Sequence, residues 1–185
     1  MTVVIDTSSL MALVRYYLPF DKDDSLKDFF RNKVEHKEII IIDKVAIESK
    51  RNAKGIITTN LSFINEKKNQ VKTDLLLPTA SFLRDLENRF CYVARKNTLT
   101  EPMFENRKKE YLESADAKLI LFCLSNKNPL NFEKTILVTE ETKTDNDLKV
   151  FKKLPVICDL LKIEHCNLPT LLDNHYNLKL SKHLK

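Results

Sequence analysis

Four acidic positions stand where short apolar runs meet polar sequence, and they are the residues of this chain best placed to do chemistry. Asp6 ends the run Val3-Val4-Ile5 and is followed by Thr7-Ser8-Ser9. Glu48 lies about two turns beyond Ile39-Ile40-Ile41-Ile42, Asp116 opens the apolar stretch Lys118 to Leu124, and Glu140-Glu141 follow Thr135-Ile136-Leu137-Val138-Thr139. One acid so placed is unremarkable. Four of them imply convergence. Two carboxylates ~4 Å apart repel by about 4 kcal/mol at an effective dielectric near 20, so a converged cluster must take up a proton or a cation. Oxygen-only donors favour Mg²⁺ or Mn²⁺, which complete their shells with water and phosphate oxygens. The chemistry this predicts is phosphodiester hydrolysis, in which a cation activates water and offsets the charge that develops on phosphorus. The competing role for Asp6 and for Asp116 is helix capping, which acidic residues also favour.

The elements that must position these acids follow from periodicity. Val3–Ile5, Ile39–Ile42 and Thr135–Thr139 read as buried parallel strands, because a strand covered on both faces is continuously apolar rather than alternating. Helical spacing follows the first strand through Leu10, Leu13, Val14 and Tyr17 up to Pro19. A second helix carries Leu26, Phe29, Phe30 and Val34, and the acidic run Asp21 to Asp24 before it reads as a solvated turn with N-caps. Residues 55–77 read as loop or short helices. Pro78-Thr79 opens a long helix through Leu83, Leu86, Phe90 and Ala94, with Arg84, Arg89 and Arg95 on its polar side. Another helix starts at Thr100-Glu101-Pro102 and carries Arg107-Lys108-Lys109. Ile163–Cys166 reads as an edge strand between helices opened by Leu154-Pro155 and Leu168-Pro169. The tail from Lys179 is expected to fray. The fold class is therefore α/β, a Rossmann-like α/β/α sandwich around a central parallel sheet, as one domain over 1–185 with a helix-rich insertion at about 58–113. In such sheets the carboxyl ends of the strands form the binding edge.

Composition narrows the chemistry. A chain of 185 residues buries roughly 70% of its unfolded surface and needs no staples. No apolar run approaches the ~20 residues that span a bilayer, and the start lacks the pattern of a signal peptide, so a cytoplasmic location and no membrane partner are expected. The four cysteines are spaced as buried, reduced thiols; a zinc site on Cys158, His165 and Cys166 lacks the usual ligand spacing. Gly55 is the single glycine, which excludes a P-loop and a GxGxxG dinucleotide loop. A net charge of +5 suits a polyanionic partner.

The order Val4-Ile5-Asp6-Thr7-Ser8, then Glu48, then Ala115-Asp116-Ala117, then Leu137-Val138-Thr139-Glu140-Glu141 resembles the PIN-domain ribonucleases, on the branch that includes VapC toxins. The resemblance implies an Mg²⁺- or Mn²⁺-dependent endoribonuclease that leaves 5′-phosphate and 3′-hydroxyl ends. It makes Asp6 and Asp116 metal ligands and Glu48 the third acid, with Ser8, Thr7 and Thr139 in support. The family has Asn-Asp or Arg-Asp after the strand's threonine. Here the fourth acid is Glu140, then Glu141, then Asp145 in order of preference, with Asp147 also in reach. A toxin would further imply an antitoxin partner that covers the acids, and a homodimer. The alternatives are a PIN-like nuclease that cuts DNA or particular nucleic-acid structures, and a non-catalytic module that binds RNA or protein. A haloacid-dehalogenase-type phosphatase would need an acid where Ser8 stands, and a response-regulator receiver an acidic pair near its first strand.

Overall fold

A computed structural model describes residues 1–127, 134–144 and 149–185. The chain alternates strand and helix as far as Arg51: β1 (Thr2–Ile5), α1 (Thr7–Ala12), α2 (Ser25–Glu35), β2 (Ile39–Ile42) and α3 (Asp43–Arg51). A helical stretch follows, with α4 (Ile56–Asn60), the short β3 (Gln70–Val71), α5 (Ala80–Asn88), α6 (Val93–Lys96), α7 (Glu101–Leu112) and α8 (Ala115–Ser125). The chain then re-enters the sheet through β4 (Thr135–Val138), α9 (Leu154–Leu161), β5 (His165–Cys166) and α10 (Leu168–Thr170). The five strands are all parallel, in the order β3-β2-β1-β4-β5, and helices flank the sheet in a Rossmann-like α/β/α sandwich.

That order creates the functional edge. The chain builds outward from β1 through β2 to β3, then returns to place β4 on the other side of β1. The carboxyl ends of β1 and β4 therefore diverge into connections on opposite sides, which is the switch point where α/β sheets bind ligands. Register fixes the levels: Ile5 pairs with Val138, so Asp6 stands beside Thr139, and the Asp6 N–H donates to the Val138 carbonyl at 2.9 Å. A helix that leads into a parallel strand runs against it, so the start of α8, with Asp116, returns to this same edge.

The central strands are legible as buried runs because both faces are covered. Val3, Val4, Ile5, Ile41, Ile42, Leu137 and Val138 are all buried. At ~25 cal/mol per Å² of apolar area, each such side chain contributes about 1.5–3 kcal/mol. β3 was not legible, being two residues long; Asp43 holds its neighbourhood in place by accepting from the Thr73 hydroxyl at 2.6 Å.

Other departures from the sequence reading have local causes. The expected long helix stops at Asn88, because residues 90–92 pair instead with residues 150–152: the Tyr92 N–H donates to Val150 at 2.9 Å and the Lys152 N–H to Phe90 at 2.7 Å. The tail is pinned rather than frayed. Leu184 bridges Asp21 in antiparallel fashion, and the Lys22 N–H donates to the His183 carbonyl at 2.7 Å. Nor is the acidic run before α2 merely solvated. Asp21 is buried and accepts from the Leu26 and Lys27 N–H groups, both at 2.9 Å, so it caps α2 from outside the helix.

Replacing this cap is expected to be costly. Asp21→Ala should lose about 1–2 kcal/mol and lower the melting temperature by about 3–6 °C. Asp23→Asn and Asp24→Asn, which keep side chains that tolerate the left-handed backbone at those positions, should stay within about 2 °C. Thermal unfolding followed by circular dichroism checks this.

Candidate functional site

Asp6 occupies the N-cap position of α1 without capping it. Its Oδ2 instead accepts from Ser8 Oγ at 2.6 Å and from Thr139 Oγ1 at 3.0 Å. The two hydroxyls in turn accept from the backbone beyond β4, Ser8 Oγ from the Glu140 N–H at 2.9 Å and Thr139 Oγ1 from the Glu141 N–H at 3.1 Å. This clamp ties the end of β1 to the end of β4. Asp6 Oδ1 has no hydrogen-bond partner among the described residues.

Asp116 also escapes the capping role. Ser114 caps α8 by accepting from the Ala117 N–H at 3.3 Å, which leaves the Asp116 carboxyl in the first turn with no hydrogen bond or ion pair among the described residues. Glu48, on α3, accepts from Thr7 Oγ1 at 2.9 Å and from Asn52 Nδ2 at 3.4 Å. Glu141 accepts from the Leu154 N–H at 3.0 Å through Oε2, and its Oε1 lies 4.0 Å from Lys149 Nζ. Asp6, Glu48, Asp116 and Glu141 together line one cleft of about 240 Å³, with Lys149, Asn52 and Ser8 in its walls.

Glu140 is not part of this group. Its Oε1 accepts from the Leu168 N–H at 2.6 Å, and its side chain lines a neighbouring cavity with Arg15, Tyr16 and Tyr17. Two successive residues leave a strand end in different directions, and here the backbone amides that open α9 and α10 decide which glutamate goes where. Asp145 and Asp147 lie outside the described residues. Sequence reasoning also passed over Lys149, Lys152 and Tyr111, which sit in segments without a strong pattern; the pairing of residues 150–152 with 90–92 brings the two lysines to the cleft.

The electrostatics match the crowding. Burial pushes the Asp116 carboxyl up to about 7, helped by the charges of Asp6, Glu141 and Glu48 and opposed by Lys149. Asp6 is also raised, mainly by burial, against the lowering effect of the Ser8 and Thr139 hydrogen bonds. The Tyr111 phenol is held well above its ordinary range by burial and then by Asp116, and its hydroxyl has no partner among the described residues. The donor set is all oxygen, which fits Mg²⁺ or Mn²⁺ rather than zinc. Among the described residues no three His, Cys, Asp or Glu side chains are set to hold one metal ion. A magnesium ion, which keeps most of its water, needs only one or two carboxylates, and Asp6 Oδ1 and the unpartnered Asp116 carboxyl answer to that.

Beside the acid cleft lies a cavity of about 540 Å³ that shares Asp116 and Lys149 with it. Arg95, Arg107, Lys149 and Lys152 give it a basic wall, and Tyr111 and Phe151, with ring centroids 4.5 Å apart, an aromatic one. Arg95 and Lys152 have no ion-pair partner among the described residues. By contrast Lys108, next to Arg107, is committed to Glu87 and Glu105 at 2.6 Å each.

The chain matches the family model described as Domain of unknown function (DUF4411) over residues 3–177. No curated protein and no solved structure matches it.

A raised carboxyl pKa makes Asp116 a pH-dependent burden. Its proton is bound in the folded protein up to about pH 7 but is lost from the unfolded chain near the ordinary 3.8. The folded state therefore binds more protons between those values, and stability falls as pH rises through that window. Without divalent metal, Asp116→Asn should raise the melting temperature by about 3 °C or more at pH 8 and make little difference at pH 4, measured by calorimetry. A fall at pH 8 would show instead that the carboxylate supports the helix start.

Proposed function

We propose that this chain, which belongs to the family described as Domain of unknown function (DUF4411), is a divalent-metal-dependent endoribonuclease. The observation that carries the reading is the juxtaposition of two opposite environments. Four carboxylates share one cleft, and that cleft shares Asp116 and Lys149 with a cavity walled by Arg95, Arg107 and Lys152. An acid cluster alone repels a phosphodiester. A basic wall beside it attracts one, and the net charge of +5 acts in the same direction over longer range.

Asp6 and Asp116 would hold the cation, with Glu48 and Glu141 beside them. Bound there, Mg²⁺ or Mn²⁺ supplies positive charge against the developing phosphorane and makes water a better nucleophile near neutral pH. The chain's own groups do the rest. The Ser8 and Thr139 hydroxyls fix Asp6 through Oδ2 and leave Oδ1 free. Thr7 and Asn52 orient Glu48. Asp116, whose carboxyl exchanges its proton near pH 7, is suited to accept a proton from water and pass it on. Lys149, beside Glu141, offers a cation to a non-bridging phosphate oxygen. That no three acidic side chains are already set around one point favours a second reading, a module that grips RNA without cutting it.

One assay separates the two readings. Labelled RNA and single-stranded DNA are incubated with the protein in Mg²⁺, Mn²⁺ or EDTA. The nuclease reading expects RNA cutting that requires metal and falls by about a hundredfold or more in Asp6→Asn, a loss of several kcal/mol at the transition state. Cutting in EDTA, or cutting that Asp6→Asn leaves unchanged, overturns it. Retention of RNA without cutting supports the binding module.

A further inference from the structure

α1 does not end as an ordinary helix. It widens into a π-helical turn over Leu13–Tyr17, a distortion that re-aims side chains and recurs at functional sites. The turn lifts Arg15 and Tyr16 into solvent. Tyr16 is 68% exposed, a large aromatic surface left in water. Tyr17 is half-buried, and Glu140 approaches closely enough that its charge helps to raise the phenol's pKa. Arg15, Tyr16, Tyr17 and Glu140 wall one cavity of about 710 Å³. Arg15 has no hydrogen bond or ion pair among the described residues, although it shares this cavity with a carboxylate. Glu140 is anchored only through Oε1, so Oε2 has no partner among the described residues.

The cavity's position gives it meaning. It shares Ser8 and Met11 with the acid cleft. The acid cleft shares Asp116 and Lys149 with the basic cavity. The three cavities therefore form one furrow, with an aromatic pocket at one end, the carboxylates in the middle and a basic wall at the other end. A strand lying along it would put backbone phosphates on Arg95, Arg107 and Lys152 and one residue of the opposite side against Tyr16 and Tyr17.

We infer that the cavity walled by Arg15, Tyr16, Tyr17 and Glu140 is a nucleobase subsite, which seats a guanine of single-stranded RNA next to the scissile phosphate. The inference rests on the endoribonuclease reading for the placement of that phosphate. Aromatic faces stack on any base. Selection comes from the polar groups. A carboxylate only accepts hydrogen bonds, and guanine alone offers two adjacent donors, N1–H and N2–H, on its pairing edge. Arg15 only donates, and guanine presents O6 and N7 as acceptors. A base inside a duplex has its pairing edge occupied and its faces stacked, so the substrate must be single-stranded or looped.

Two measurements on the full chain test this. In the first, cut sites are mapped on an RNA of mixed sequence with Mg²⁺ or Mn²⁺. Cutting beside guanosine should exceed cutting beside the other bases by about tenfold, and Glu140→Gln and Tyr16→Ala should bring that ratio close to one. Gln still accepts from Leu168, and Tyr16 is exposed, so both variants should melt like the parent. In the second, fluorescence anisotropy in EDTA compares labelled oligouridylates with and without one guanosine. The parent should bind the guanosine-containing strand about tenfold more tightly, and Glu140→Gln should remove that difference. RNA cutting without a guanosine preference overturns the subsite and leaves the nuclease reading intact. Guanosine-selective binding by a protein that cuts no RNA keeps the subsite and overturns the nuclease reading. A preference that survives both substitutions places guanine recognition elsewhere and overturns the inference.

Discussion

Everything at the carboxyl edge of the sheet depends on keeping Asp6 buried at the end of β1. An isolated carboxylate there would cost several kcal/mol in lost hydration. The Ser8 and Thr139 hydroxyls offset part of this through Oδ2, yet burial still raises the group's pKa. The same hydroxyls take the N–H groups of Glu140 and Glu141. The hydrogen bonds that keep Asp6 in place therefore also set the course of the chain after β4. Remove the acid, and the clamp loses the group that joins its two hydroxyls.

A cluster of this kind is balanced by its surroundings rather than by its own contacts. Asp116 faces three other carboxylates, with Lys149 as its opposing charge. The fold carries that repulsion on a core that includes Leu119, Ile120 and Ile157, all fully buried. Local destabilisation is what a cation-binding or phosphate-binding centre requires. Groups fully satisfied by the protein would have nothing left to offer a ligand. The unpartnered Asp6 Oδ1, Asp116 carboxyl and Tyr111 hydroxyl are the places where this chain withholds internal partners.

How much of this could be read from the sequence follows from how local each cause is. β1, β2 and β4 are continuous apolar runs, and burial on both faces leaves no other pattern. The placement of Asp6, Glu48 and Asp116 follows because each is rigidly attached to such a run or to a helix beside one. Features set by long-range backbone pairing were not legible. The break after Asn88 depends on residues 150–152, some sixty positions away, and nothing within the helical pattern of Leu83, Leu86 and Phe90 announces it. The pinned tail likewise depends on Phe20 and Lys22. Asp21 looked like any acid in a polar turn, because its burial is produced by α2 folding back over it.

Glu140 and Glu141 show the limit most sharply. They are the same residue type, adjacent, and in an irregular segment, so neither propensity nor periodicity separates them. What separates them is a pair of backbone amides contributed later in the chain: Leu168 takes one oxygen of Glu140, and Leu154 one oxygen of Glu141. Each glutamate is thereby held by one oxygen and left with the other, one at the aromatic end of the furrow and one among the acids. A shorter side chain at either position would have to give up the amide or the cavity. The double glutamate, which departs from the acid pattern of PIN-domain ribonucleases, is in this light a division of labour, with one carboxylate assigned to the charge of the cleft and the other to what lies beside it.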